Sequence, residues 1–289
     1  MEMIQKINHY LSLIKFSHTV FALPFAFIGF FLAIHSGQAT FSVQKLVMVI
    51  LCMVFARSAA MGFNRYIDRK FDAKNPRTAI REIPAGVISA NAALALVIVC
   101  SISFVVWTYF INEICFYLSP VALLVVLGYS YTKRFTPLCH LILGLGLSLA
   151  PIGAYLSLTA HFALAPILFS ALVLLWVGGF DIIYALQDEE FDRKQGLRSI
   201  PVLLGIKGAL YLSEGMHTLA AFIVFACFYF GGFSWLFAIG ALIFIGLLIY
   251  QHSIIKPNDL SRVNLAFGTT NGIASVVFCI FACADMYFL

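Results

Sequence analysis

Asn64-Arg65-Tyr66-Ile67-Asp68-Arg69-Lys70-Phe71-Asp72 directly follows an apolar run that ends near Phe63. If the helix of that run continues, each four-residue step turns it only about 40°, at roughly 3.6 residues per turn. Asn64, Asp68 and Asp72 then share one face as a stripe of oxygen-bearing side chains. A second stripe, Asp181, Tyr184, Asp188 and Asp192, also lies at the end of a long apolar segment. Asp68 and Asp188 are 120 residues apart, as are Asp72 and Asp192. A lone D-x-x-x-D reads as a solvated helix end, but two of them, with Asp181 inside an apolar span, do not. Carboxylates are costly at membrane depth and mark function there. Two facing sets of hard oxygen ligands suit Mg²⁺, which leaves coordination positions for substrate phosphates. The expected metal ligands are Asn64, Asp68, Asp72, Asp188 and Asp192.

The chain around these stripes has 289 residues, 62% hydrophobic and 11% charged. That excludes a soluble globular protein and points to an all-α membrane protein. Crossing a bilayer takes about 20 apolar residues per helix. Nine candidate spans emerge, at 16–36, 42–63, 89–110, 114–132, 137–158, 163–186, 208–230, 233–253 and 264–288. Together they predict one bundle, with residues 1–289 as a single domain. No signal peptide is expected: the first apolar run is long and no small-residue cleavage site follows it.

With nine spans, 16 of the 18 basic residues fall on one side, in the N-terminal arm and the loops after spans two, four, six and eight. Only Lys45 and Arg57 lie elsewhere. By the positive-inside rule the N-terminus and both acidic stripes face the cytoplasm, across a bacterial-type inner membrane. The net charge of +5 does not suggest nucleic acid, because the basic residues sit in short loops rather than on one soluble face. The seven cysteines show no zinc or redox spacing and read as small buried residues. No obligatory protein partner is evident.

Arg77, Arg81, Lys133, Arg134 and Arg198 border a stripe or a matching loop. Cations beside a carboxylate–Mg²⁺ cluster suit a diphosphate, the metal bridging some oxygens and Arg or Lys taking others. Other basic residues, such as Lys6, Lys256 and Arg262, are read as enforcing topology alone. His18 is read as an interfacial histidine. Asn264 and Asn271 are expected to hydrogen-bond between helices.

These motifs resemble those of the UbiA superfamily of intramembrane aromatic prenyltransferases. The family's N-D-x-x-D-x-x-x-D reads here as Asn64 to Asp72, with Arg65 in place of the usual aspartate. Its D-x-x-Y-x-x-x-D-x-x-x-D reads as Asp181 to Asp192, and Tyr129 to Thr136 resembles its basic loop after the fourth helix. With Asn75-Pro76-Arg77-Thr78, the pattern looks like the 4-hydroxybenzoate polyprenyltransferase branch. The resemblance implies Mg²⁺-dependent transfer of a polyprenyl group from its diphosphate to a small aromatic acid in respiratory quinone synthesis. The acceptor is 4-hydroxybenzoate-like or, alternatively, a dihydroxynaphthoate of menaquinone synthesis. It also implies a tail groove in the bilayer-spanning bundle, and catalytic roles for Asp181, Asp188 and Tyr184, with Asp181 or Asp188 taking the proton. Secondary transport is the rival from another class, but its acidic sites belong at the midplane of broken inverted repeats.

Overall fold

The computed structural model describes residues 2–15, 19 and 21–289, with side chains from residue 8 onward. His18 lies outside the described residues. Among them every regular element is helical: α1 (Glu2–Leu13), α2 (Leu23–His35), α3 (Val43–Asp72), α4 (Ala90–Ile111), α5 (Glu113–Thr132), α6 (Cys139–Thr159), α7 (Leu164–Ala185), α8 (Glu189–Lys194), α9 (Ile200–Gly231), α10 (Trp235–Ile254) and α11 (Asn271–Phe288). Serine or asparagine opens several of them. Ser42, Ser89, Asn112 and Ser199 each accept a backbone N–H from the first turn that the helix itself leaves unpaired.

Among the described residues eight helical segments are long and apolar enough to cross a membrane, so the chain is a multi-pass membrane protein. The expected first span, 16–36, is the exception. Among its described residues the α-helix is Leu23–His35, 13 residues, short of the roughly 20 that a bilayer needs. Pro24, which has no N–H to donate, sits in the first turn of α2, where no intrahelical donor is needed. The expected span 208–230 begins earlier, at Ile200, and bends at Gly205, whose φ of 70° suits a residue without a side chain. The last span opens with a π-helical turn over Leu265–Thr270.

α2 packs mainly against α6 and α11, and α6 and α9 flank α7. Apolar burial alone does not drive association between helices in lipid; close packing and polar contacts do. Both are present. Phe25, Phe169, Trp176, Phe237, Phe244 and Phe278 form a buried aromatic cluster. Through it runs a polar chain: Trp176 Nε1 donates to Asn271 Oδ1 (2.8 Å), and Asn271 Nδ2 to Gln251 Oε1 (3.1 Å). Gln251 Nε2 meets His217 Nδ1 at 3.2 Å, and His217 Nε2 donates to the Trp176 carbonyl at 3.0 Å. Asn271 therefore bonds between helices, as its position in the last span predicts.

The α2–α6 contact is backbone against backbone. A Cβ on Gly29 would stand 2.0 Å from the Pro151 carbonyl oxygen, which has no side-chain freedom to yield. Gly29→Ala is therefore expected to destabilise the bundle by about 3 kcal/mol or more, beyond ordinary overpacking. A lowered thermal midpoint of the detergent-solubilised protein measures it, and an unchanged midpoint would contradict the contact.

Candidate active site

The helix of the opening motif does continue past Phe63, and α3 runs to Asp72. Asn64 Nδ2 donates to Asp68 Oδ2 at 3.3 Å, so the first two members share a face as their spacing predicts. Asp68 and Asp72 are buried. Each is met by cations from outside its own helix. Lys133 Nζ and Arg134 Nη2, from the turn after α5, both lie 2.9 Å from Asp68. Arg81 Nη1 reaches Asp72 Oδ1 at 2.7 Å, while Asp72 Oδ2 is buried with no hydrogen-bond partner.

The second stripe spans three elements. It is not one continuous helix: α7 ends at Ala185, a 3₁₀ turn covers Leu186–Asp188, and α8 starts at Glu189. The four-residue step from Asp188 to Asp192 therefore crosses a helix start. Asp192 is nonetheless buried, within electrostatic reach of Lys133, Asp188, His140 and Asp68. Glu189 and Glu190, off the stripe, pair with Arg193 and Lys194 four residues on.

What draws the stripes together is the loop after α3. Asn75 is buried, and its Nδ2 donates to Asp188 Oδ1 at 3.1 Å. Its own Oδ1 accepts the Arg77 backbone N–H at 3.0 Å, which fixes the turn that aims Arg77. Arg77 then grips Asp188 with two nitrogens, Nε on Oδ1 at 3.1 Å and Nη2 on Oδ2, while Nη1 donates to Tyr184 Oη at 2.9 Å. Burial works against the charge of Arg77, but its bonds to Asp188 outweigh burial and hold the guanidinium above its ordinary pKa. Tyr184 stacks on Phe267 with ring centroids 4.1 Å apart.

Arg77, Arg81, Lys133 and Arg134 thus all touch a stripe. Arg198 touches none. It braces the turn beside them: its N–H donates to the Lys133 carbonyl (2.7 Å) and its Nη1 to the Phe135 carbonyl (2.8 Å). Among the described residues no three His, Cys, Asp or Glu side chains surround one point; Asp68, Asp72 and Asp188 face cations instead.

Beyond the stripes lies a cavity of about 360 Å³, within the usual range for ligand pockets. It runs between α3, α4, α5 and α6, from Met61 and Tyr129, one turn before Lys133, to Ile111 and Phe162 at the other end of these helices. Its wall is mostly apolar, with a few hydroxyls and one charged side chain. Arg57 lines it beside Tyr129, with its Nε buried and unpartnered. Arg65 is likewise buried with an unpartnered Nε, in the field of Asp72 and Tyr129. Reasoning from the sequence passed over both arginines as chemistry, along with Asn75 and His140. A signal for Arg57 existed: seven residues before Asn64 is two helical turns, about 20° from the stripe.

A helical bundle in the membrane, with acids and bases interleaved at the mouth of a greasy cavity, defines an enzyme for a substrate that is ionic at one end and apolar at the other. The comparisons agree. Residues 22–278 match the UbiA prenyltransferase family, and the chain belongs to that family; it is a prenyltransferase. It is 31% identical over 253 residues to a 4-hydroxybenzoate octaprenyltransferase of Tolumonas auensis, covering 84% of each chain. It is 29% identical over 278 residues to one of Coxiella burnetii, covering 95% of each. A solved UbiA homolog from Aeropyrum pernix K1 superposes with a TM-score of 0.80 at 31% identity, over 93% of this chain and 96% of that one. A UbiA homolog from Archaeoglobus fulgidus bound to DMAPP and Mg²⁺ superposes with a TM-score of 0.74 at 21% identity, over 97% and 99%.

Proposed function

We propose that the protein transfers a polyprenyl group from its diphosphate to a small aromatic acid of the 4-hydroxybenzoate type, with Mg²⁺, as a step of respiratory quinone biosynthesis. One observation carries the reading. The Asn75–Arg77 turn ties Asp188 to the loop that follows Asp72, so both stripes and four cations meet at one patch at the head of the cavity. A diphosphate fits that patch, and an isoprenoid tail fits the cavity.

The donors suit the metal. They are carboxylate and amide oxygens, and Asp72 Oδ2 is a buried acceptor waiting for a partner. Asn64, Asp68, Asp72, Asp188 and Asp192 would hold it. Bound Mg²⁺ supplies charge neutralisation for the departing diphosphate. Arg77, Arg81, Lys133 and Arg134 take the remaining phosphate oxygens, and Arg198 keeps the Lys133 turn in place. The apolar wall keeps water from the allylic centre. Arg57 receives the acceptor's carboxylate, because a buried guanidinium without a counter-ion calls for an anion. Asp181, Asp188 and Tyr184 line the route by which a proton leaves. The basic loops support a site on the cytoplasmic face of an inner membrane, with the N-terminus inside if nine helices cross.

The purified protein in lipid nanodiscs, given labelled polyprenyl diphosphate and Mg²⁺, tests the proposal with 4-hydroxybenzoate and a dihydroxynaphthoate offered side by side. A prenylated 4-hydroxybenzoate is expected, and chelation of the metal is expected to stop its formation. Product on the naphthoate alone would reassign the acceptor. No product from either would overturn the reading.

A further inference from the structure

Asp188 and Asp181 both qualify by position as the group that removes the acceptor's proton, and their surroundings separate them. Both oxygens of Asp188 are engaged, by Arg77 and Asn75. Asp181 receives one bond, from His140 Nδ1 to Oδ2 at 2.7 Å, and no described residue bonds its Oδ1. The Asp181 side chain is 20% exposed, that of His140 4%.

The other ring nitrogen settles what His140 does. Ile200 opens α9, so its N–H has no partner inside that helix. It points at His140 Nε2 at 3.4 Å. A backbone N–H can only donate, so Nε2 presents its lone pair and the ring proton sits on Nδ1, facing Asp181. His140 also lies within electrostatic reach of the buried Asp192, which sets the pair beside the second stripe.

We infer that His140, held in one tautomer by the first N–H of α9, is a positioning residue that fixes Asp181 as the proton acceptor of prenyl transfer. The inference rests on the prenyl-transfer reading above. In the step, the C–O bond to diphosphate breaks and its electron pair leaves on oxygen. A ring carbon of the acceptor bonds the allylic carbon, and the proton on that ring carbon passes to Asp181 Oδ1, restoring aromaticity. His140 keeps its own proton throughout, and donates it so that the second oxygen stays aimed at the substrate.

The test compares wild type, His140→Leu, His140→Asn, Asp181→Asn and the His140→Leu/Asp181→Asn double variant in nanodiscs. An asparagine amide nitrogen can stand near the position of Nδ1 and replace the donor. His140→Leu is expected to lose about 100-fold in kcat, the scale of a general base out of place. KM for the prenyl diphosphate should change little, and His140→Asn should recover most of the rate. The double variant should be no slower than Asp181→Asn alone. With acceptor deuterated at the attacked carbon, a primary isotope effect should emerge in His140→Leu, because proton removal has become slow. Equal damage in the Leu and Asn variants, additive losses, or no isotope effect would overturn the inference and leave a packing role. If His140→Leu does not fold, His140→Asn and its isotope effect decide: the rate of Asp181→Asn rather than of wild type would refute it. A wild-type protein that prenylates no acceptor would instead refute the underlying reading.

Discussion

Asp188→Ala is expected to cut kcat at least about 1,000-fold, which is about 4 kcal/mol of transition-state stabilisation. Three donors from Asn75 and Arg77 converge on this carboxylate, and Arg77 also holds the Tyr184 hydroxyl. Removing the carboxylate does more than delete one proposed metal ligand. It frees the turn that joins the two acidic segments and leaves the half-buried Arg77 guanidinium without its counter-charge. The diphosphate patch then loses a ligand and its geometry together. Asp188→Asn keeps the size and one acceptor oxygen but not the charge, so it should fail almost as badly if the group holds Mg²⁺. Membrane insertion should survive in both variants, because the bundle is packed by α2, α6, α7, α9, α10 and α11 away from this loop. Single-turnover rates on reconstituted protein measure the loss. Retention of more than about a tenth of the wild-type rate, a cost of only about 1.4 kcal/mol, would sink the metal role.

The sequence made some of this site legible and hid the rest, for physical reasons that differ by residue. Asn64, Asp68 and Asp72 could be placed on one face because a helix in lipid keeps its period wherever no proline or glycine breaks it, and none occurs between Val43 and Asp72 except Gly62. The second stripe was harder, since nothing in Leu186-Gln187-Asp188 announces a 3₁₀ turn. The four-residue spacing gives no sign that the helix is interrupted there. Lys133 and Arg134 could be assigned by adjacency to a stripe, whereas Arg198 borders the same turn and only braces it. His140 and Asp181 are 41 residues apart in sequence. Their pairing depends on how α6 lies against α7, which no local pattern records. The expected span 16–36 reads from apolarity alone, whereas the described α2 starts only at Leu23, with Pro24 in its first turn.

Arg57→Leu should raise stability while lowering activity. It is the one charged side chain lining a mostly apolar wall, and its Nε has no partner. Burying such a group is costly, and replacing a buried charge with a well-packed apolar residue is often neutral or stabilising. A position that weakens the fold and is not needed for packing fits one that serves a ligand. If that ligand is the carboxylate of the aromatic acid, the variant should lose about 100-fold or more in kcat/KM for the acid, about 3 kcal/mol, the upper range for a charged hydrogen-bonded pair. KM for the prenyl diphosphate should hold, because the cations at the stripes are untouched. Arg57→Lys should recover little, since an ammonium cannot grip a carboxylate with two parallel bonds. The sharper comparison uses the acceptor itself. Wild type should prefer 4-hydroxybenzoate strongly over phenol, which lacks the carboxylate, and Arg57→Leu should treat the two nearly alike. A variant that is less stable than wild type, or that keeps the wild-type preference for the acid, would show that Arg57 supports the helices and does not meet the acceptor.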